Sequence, residues 1–305
     1  MKKHSKLANQ TARCLKKSVP HRTVGGLNAG HVNKTPIEYE SYNERNTIAL
    51  LSLCHDVSQV KSQPIVVNYT DDHGNPRRHI PDFEVVGDDV LYLEVKAIED
   101  LLLAKNISKY SRIGKEYFRQ NLDLRFLTNI QLEAQPLFSS VKLLFRYLNQ
   151  QVPSEHVAFC QNILNSGALP ITIFMEASKL RLENVYTLIA KQHITFDLTK
   201  PLSKQSHISL PNCPYGGINL DAVLCSTRYG DLLQKLALGH QPTDQSLLAT
   251  AKNWRQSNNH ADVWSIVGGF AELLPLRDAS ASGFLRGPKL RRAFAPGYYH
   301  PQITD

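Results

Sequence analysis

The first part of the chain alternates between helical and strand-like patterns of apolar residues. Ser41 and Asn43 are N-cap residue types, and apolar residues follow at roughly helical spacing. Linkers at 71–75 and 87–89 carry the Asp, Asn and Gly residues typical of hairpin turns. The predicted elements are a helix over Ser41–His55, strands over Val57–Tyr69 (interrupted by Pro64), Arg78–Val86 and Val90–Lys96, a helix over Leu101–Phe118 and a buried strand over Leu124–Thr128.

This α-β-β-β-α-β order predicts an α/β fold at residues 38–130, with a mixed sheet and flanking helices of the restriction-endonuclease-like type. The second half is mainly helical and ends in two alternating runs, which predicts a winged-helix domain at residues 131–210. Its predicted elements are helices over Leu137–Gln150, His156–Leu164 and Ala177–Lys191, a short apolar run over Ile171–Glu176, and strands over His193–Leu198 and Ser206–Leu210. Residues 211–305 form a C-terminal extension of unknown role, in which the apolar stretch 261–274 is expected to pack on something.

Charge is distributed unevenly along the chain. The 305 residues carry 35 Lys and Arg against 27 Asp and Glu, a net charge of +8. The first 37 residues hold eight basic residues and no acidic one, so the remainder is balanced at 27 of each sign. We therefore expect a cationic N-terminal arm at 1–37, whose charge by itself indicates only an anionic partner. Beside a DNA-cleavage site, Lys16, Lys17 and Arg22 would contact DNA phosphates and fix register without reading bases.

Several protein classes are excluded by composition. An apolar content of 42% argues against disorder throughout. No run of about 18 apolar residues occurs, so we expect no membrane association, and the basic N-terminus lacks the apolar segment of a secretory signal. The five cysteines include no CxxC pair, which favours free thiols in a reducing compartment over zinc or disulfides.

Candidate chemistry concentrates on the strand Val90–Lys96. Residues two apart on a strand face the same side, so Glu94 and Lys96 share one face while Leu91, Leu93 and Val95 enter the core. Charged groups on an otherwise apolar strand are costly without partners. A Mg²⁺ ion shared with Asp82, one hairpin earlier, would supply such a partner, because it prefers oxygen ligands.

The candidate metal ligands are thus the carboxylates of Asp82 and Glu94 and the backbone carbonyl of Val95, with Mn²⁺ expected to substitute for Mg²⁺. Lys96 would stabilise charge on a scissile phosphate or position the attacking water. Glu44, on the preceding predicted helix, would reach the same region from above.

Neighbouring polar residues have both functional and structural interpretations. Arg77, Arg78 and His79 precede Asp82 and would hold DNA phosphates near the metal, although edge-strand charges also discourage aggregation. Gln63 would contact the scissile region or simply end a strand. The candidate catalytic set of Asp82, Glu94 and Lys96 also has a structural interpretation, as a surface strand with a Glu–Lys pair and a turn aspartate.

Asp82, Glu94 and Lys96 match the PD-(D/E)xK nuclease signature, and the wider sequence resembles the TnsA family. The resemblance covers about residues 20–130 and is carried by the segments 40–45, 57–64, 79–83 and 94–96, with weaker motifs in the predicted wing at 177–210. It implies a Mg²⁺-dependent endonuclease subunit of a heteromeric cut-and-paste transposase. That subunit would cleave the 5′ ends of transposon DNA with Glu44, Asp82, Glu94 and Lys96 as its catalytic set.

The same resemblance implies partners and a location. The partners would be double-stranded DNA at the transposon ends, a DDE transposase subunit (TnsB-like) that handles the 3′ ends, and an AAA+ regulatory ATPase (TnsC-like). The reaction would take place in the prokaryotic cytoplasm, in association with the nucleoid. Two alternatives remain open: a stand-alone restriction or repair nuclease of the same fold, and a catalytically inactive DNA-binding scaffold subunit.

Overall fold

A computed structural model describes residues 24–30, 32–197, 200–211, 218–225 and 229–242. Three predicted DNA contacts lie outside these ranges: Lys16, Lys17 and Arg22. Most of the extension at 211–305 also lies outside them, including the apolar stretch 261–274. The strands are β1 (Gly25–Leu27), β2 (Ile37–Tyr39), β3 (Gln59–Ser62), β4 (Val67–Thr70), β5 (Pro76–His79), β6 (Phe83–Val86), β7 (Val90–Lys96), β8 (Leu124–Thr128), β9 (Leu169–Pro170), β10 (Thr195–Phe196) and β11 (His207–Ser209).

The helices lie mainly between β2 and β3, between β7 and β8, and after β8. They are α1 (Tyr42–Leu51), α2 (Ile98–Leu101), α3 (Ala104–Arg119), α4 (Asn129–Leu132), α5 (Leu137–Leu144), α6 (Ser154–Leu164), α7 (Ile171–Ser178), α8 (Leu182–Ala190), α9 (Leu220–Cys225) and α10 (Gly230–Ala237), with a 3₁₀ turn at Phe145–Tyr147. Of the described helices, none is long and apolar enough to cross a membrane.

The central sheet is mixed and has helices on both faces, which confirms the predicted α/β class. Its strand order is β3-β6-β7-β8; the first two pairings are antiparallel and β7 pairs with β8 in parallel. As predicted, Leu91, Leu93 and Val95 enter an apolar cluster, which they share with α1. The opposite face is also covered, because Tyr92 and Phe126 pack in a second cluster with α3 and α10.

Two predicted strands are wrong in their extent. The run 57–69 divides into β3 and β4, and the run 78–86 divides into β5 and β6. Pro64 and Pro81 lie at these two divisions and lack the N–H group that a continuous ladder needs. The outer halves, β4 and β5, form a separate antiparallel hairpin, whose turn is closed by the Asp71 carboxylate accepting the backbone N–H groups of His73 and Asn75.

The second half differs from the predicted elements in three places. The apolar run 171–176 belongs to the helix α7, and the helix predicted at 177–191 is the shorter α8. The helix predicted at 137–150 is α5 followed by the 3₁₀ turn. The two predicted terminal strands are present as β10 and β11, and β9 joins them in a three-stranded antiparallel sheet of order β10-β11-β9.

The described part of the predicted extension returns to the central sheet. At residue 218 the chain forms a bridge to Cys54, and the Asp56 carboxylate accepts the backbone N–H of Leu220 at 3.1 Å. Helix α10 then packs on α3 and β8 and buries Tyr229, Leu232, Leu233, Leu236 and Ala237 in the second cluster. Residues 218–225 and 229–242 therefore complete the core beside the central sheet.

A glycine allows α10 to approach α3 closely. A Cβ atom at Gly114 would lie 2.5 Å from the carbonyl oxygen of Ala237 and 2.6 Å from that of Leu236. Ser111, one turn earlier on α3, donates a hydrogen bond to the carbonyl of Gly239 at 2.6 Å. Helix α3 thus packs against both the sheet and α10.

Candidate functional site

Three of the predicted catalytic residues meet at the β6–β7 hairpin. The ammonium nitrogen Nζ of Lys96 lies 3.1 Å from Glu94 Oε1 and 3.6 Å from Asp82 Oδ2. It also donates to the Val95 carbonyl oxygen at 3.2 Å. The three oxygen groups predicted to hold a metal ion therefore converge on one point, and a protein cation is located there.

Asp82 is positioned by the backbone of the neighbouring strand. It follows Pro81 and immediately precedes β6, and its Oδ2 accepts the backbone N–H of Val95 at 2.7 Å. This bond orients the aspartate toward the end of β7 that carries Glu94 and Lys96. Pairing of β6 with β7 thus converts a separation of twelve positions in sequence into direct proximity.

Glu94 is buried and has a partner for each carboxylate oxygen besides Lys96. Tyr110 on α3 donates its O–H to Oε1 at 2.8 Å, and the ring nitrogen Nε2 of His79 lies 3.1 Å from Oε2. The other ring nitrogen of His79 lies 3.0 Å from the hydroxyl of Tyr117. A neutral imidazole protonated on Nε2 donates to Glu94 and accepts from Tyr117, so one tautomer satisfies both contacts.

The pKa values of the Asp82 and Glu94 carboxyl groups are shifted in opposite directions. Burial, then the negative charges of Glu94 and Glu44, raise the pKa of Asp82 well above its usual value, against the opposing charge of Lys96. Burial also acts to raise the pKa of Glu94, but Lys96, His79 and the Tyr110 hydroxyl outweigh it and lower that pKa. Separation of the pKa values of two neighbouring carboxyl groups is typical of functional sites.

Lys96 and the two tyrosines respond to the same carboxylates. Burial acts to lower the pKa of Lys96, but the negative charges of Glu94 and Asp82 raise it above the usual lysine value. Burial, followed by the charge of Glu94, raises the pKa of both Tyr110 and Tyr117. The ammonium group of Lys96 and the two hydroxyls therefore keep their protons at neutral pH.

Glu44 is near this cluster and also caps α1. Its carboxylate accepts the backbone N–H of Glu40 at 2.7 Å and the hydroxyl of Ser41 at 2.8 Å. Burial raises its pKa, while these two hydrogen bonds and the charge of Lys96 oppose the rise. The negative charge of Glu44 contributes to the raised pKa values of Asp82 and Lys96. Its direct hydrogen bonds, however, are with the residues at the start of the helix.

The basic residues before Asp82 have separate environments. Arg77 is exposed and donates from Nε to Asp71 at 2.8 Å, and Arg78 is exposed on β5 opposite Asn68. His79, in contrast, is only 6% exposed. Its imidazole is committed to Glu94 and Tyr117 and cannot reach a phosphate from this position. Within the predicted phosphate-binding run, only the two arginines face solvent.

Sequence reasoning missed Tyr110 and Tyr117. They lie seven positions apart, two helical turns, on the buried face of α3. This spacing is that of ordinary core residues, and their apolar rings do pack in the second cluster. A buried tyrosine hydroxyl needs a hydrogen-bond partner. This requirement is the one feature of the sequence that indicates a polar neighbour such as Glu94.

The oxygen donors at Lys96 suit a hard divalent cation. Mg²⁺ is commonly bound by one or two carboxylates and retains several waters, so Asp82, Glu94 and the Val95 carbonyl fit it chemically. In the described ranges, no three His, Cys, Asp or Glu side chains form a metal-binding group, so the fit depends on these two carboxylates and the carbonyl. A scan against protein-family models finds no match to the chain, and a search of curated proteins finds none either.

Proposed function

We propose that the protein is a Mg²⁺-dependent DNA endonuclease that hydrolyses phosphodiester bonds, with Mn²⁺ able to replace Mg²⁺. One observation carries the proposal: the oxygens of Asp82, Glu94 and Val95 converge on a single cation, the ammonium group of Lys96. A cluster that holds one cation so closely has the charge and the donor atoms to hold another.

In this mechanism Asp82, Glu94 and the Val95 carbonyl would hold the metal ion, and the ammonium group of Lys96 would face the scissile phosphate. A bound Mg²⁺ supplies positive charge against the developing negative charge and lowers the pKa of a coordinated water. Lys96 then donates to a phosphate oxygen or to the attacking water. Tyr110 and His79 keep Glu94 fixed throughout.

We also propose that residues 131–210 form a winged-helix-like unit. The succession α6, β9, α7, α8, β10, β11 and the three-stranded antiparallel sheet support this interpretation. In the DNA-binding helix-turn-helix arrangement the second helix enters the major groove. Residues 185–190 of α8 are all buried, so DNA contact by α8 is limited to its exposed first turn, near Arg181.

The resemblance to TnsA extends the proposal to a biological role. The chain would be the subunit of a cut-and-paste transposase that cleaves the 5′ ends of transposon DNA in the prokaryotic cytoplasm. It would act beside a TnsB-like DDE transposase and a TnsC-like AAA+ ATPase. The exposed Arg77 and Arg78, five and four positions before Asp82, support contact with a phosphate backbone near the site.

Cleavage of labelled duplex DNA in Mg²⁺ tests the catalytic assignment. We expect Asp82→Ala and Lys96→Ala each to reduce cleavage roughly 10²–10³-fold. Asp89→Ala, in the exposed turn between β6 and β7, is the matched control and should retain wild-type cleavage. Unchanged cleavage in both site variants would reject the assignment.

The role as a subunit is tested by adding partners. The purified chain should cut plain DNA poorly and become active with a TnsB-like transposase and transposon ends. Efficient cutting of plain DNA by the chain alone would favour a restriction or repair nuclease. DNA binding without cleavage under every condition would favour an inactive scaffold.

The proposed DNA-binding arm is tested by the salt dependence of DNA affinity. Residues 1–20 contain six Lys and Arg. If all six contact phosphates, their deletion flattens the slope of log K against log salt concentration by up to about 5. An unchanged slope would mean that the arm does not contact DNA.

A further inference from the structure

Gln63, at the end of β3, combines two unfavourable features beside Asp82. Its backbone φ is +46°, in the left-handed region that residues with a Cβ rarely adopt, and Pro64 follows it. Its side-chain oxygen Oε1 is buried and has no hydrogen-bond partner within the described part of the chain. Strained backbone and unsatisfied buried acceptors each lower stability, and both are concentrated at functional sites.

The position of Gln63 in the sheet is close to the candidate metal ligands. Ser62 pairs with Phe83, so the next opposed positions are Gln63 and Asp82. The backbone N–H of Gln63 donates to the carbonyl of Asp82 at 2.9 Å. Opposed residues on antiparallel strands have Cα atoms about 5 Å apart, so Gln63 is a direct neighbour of Asp82.

A second glutamine shows what an ordinary structural role looks like. Gln192, after α8, also has a left-handed backbone, with φ of +62°. Its side chain, however, donates from Nε2 to the carbonyl of Leu53 at 3.0 Å. At Gln192 the side chain makes a contact that holds the turn in place, whereas the buried oxygen of Gln63 has no such contact.

We propose that Gln63 Oε1 is an additional oxygen ligand of the divalent cation at Asp82, bound directly or through a coordinated water. This inference rests on the proposed metal-dependent function. An amide oxygen is a hard, neutral donor of the kind that Mg²⁺ accepts. It would add a ligand without adding negative charge to a cluster in which Asp82 and Glu94 already repel each other.

The first test measures thermal stability in EDTA. Gln63→Leu removes the unsatisfied oxygen and keeps the left-handed backbone, so the melting temperature should rise by roughly 2–5 °C. The matched control, Gln192→Leu, removes a satisfied side chain and should lower the melting temperature. If Gln63→Leu does not raise it, the oxygen already has a partner and the proposal is overturned.

The second test measures Mg²⁺ and Mn²⁺ binding by isothermal titration calorimetry on the full chain. Gln63→Leu should weaken binding roughly tenfold or more, and Asp82→Asn should weaken it further. Wild-type affinity in Gln63→Leu, with binding lost in Asp82→Asn, would reject the role of Gln63 and leave the proposed function standing. If the wild-type chain takes up neither metal, the proposed function fails and this inference fails with it.

Discussion

The position of Lys96 predicts opposite effects of one substitution on metal binding and on cleavage. Its ammonium group contacts all three predicted metal ligands, the nearest being Glu94 Oε1 at 3.1 Å. A metal ion at that point must displace the ammonium group. Lys96→Met removes the competing charge and keeps much of the side-chain volume, so Mg²⁺ affinity should increase while cleavage is lost.

The magnitude follows from the charges and their exposure. A pair of unit charges at about 4 Å interacts by about 4 kcal/mol at an effective dielectric constant near 20. The Lys96 side chain is 35% exposed, so solvent screening reduces its contribution substantially. We expect a net effect of about 1–2 kcal/mol, which corresponds to a roughly 5- to 30-fold increase in Mg²⁺ affinity.

The same substitution should destabilise the metal-free protein. Without the ammonium group, Asp82 and Glu94 face each other with no cation between them, and a buried charge that loses its partner is costly. Urea unfolding in EDTA should therefore show a loss of about 1–2 kcal/mol relative to wild type, and saturating Mg²⁺ should restore it.

Calorimetric Mg²⁺ titration and urea unfolding provide the measurements, with Lys105→Met as control. Lys105 is an exposed lysine on α3, so its substitution should change neither quantity by more than about 0.5 kcal/mol. If Lys96→Met binds Mg²⁺ more weakly than wild type, the lysine does not compete with the metal ion and the reasoning is refuted.

Substitutions at Tyr110, Asp82 and Gly114 test the Glu94 hydrogen bond, the shifted pKa and the packing of α3. Tyr110→Phe removes a hydrogen bond to the buried carboxylate of Glu94 and should cost about 1.5–3 kcal/mol in urea unfolding; a loss below 0.5 kcal/mol would contradict that bond. The raised pKa of Asp82 means that the folded state binds the proton of this carboxyl group more tightly than the unfolded state does. Proton binding by Asp82 therefore stabilises the fold fully below about pH 4, and this stabilisation is lost as pH rises through the raised pKa. Asp82→Asn should therefore gain stability relative to wild type as pH rises in EDTA, and a pH-independent difference would reject the shift. Gly114→Ala places a Cβ against the backbone of α10 and should cost about 1–3 kcal/mol, with faster hydrogen exchange in residues 230–237; unchanged exchange would exclude the close approach.

The sequence identified the catalytic candidates because they are brought together by local structure. Asp82, Glu94 and Lys96 lie on one hairpin, and the two-residue period of a strand places Glu94 and Lys96 on one side. The apolar alternation of β7 likewise predicted the burial of Leu91 and Leu93. These features depend on residues close together in the chain.

The features that sequence reasoning missed depend on long-range contacts. Tyr110 reaches Glu94 because α3 packs over the sheet. His79 reaches Glu94 from β5, which pairs with β4 outside the central sheet. Gln63 has an ordinary strand-end pattern in sequence, and its left-handed backbone is visible only in the structure. Burial of the second face of β7 requires α3 and α10, which are separated by more than one hundred residues.

Packing of α10 on α3 limits how the region around the candidate site can be divided or exchanged. A fragment ending at residue 130 or 210 would lack α10 and expose the apolar surface of α3 and β8 to water. Helix α3 carries Tyr110 and Tyr117, so the loss would extend to the environment of Glu94. The region that holds the candidate site is therefore not contiguous in sequence: recombination between relatives, or grafting onto another protein, would have to transfer residues 218–242 together with the sheet.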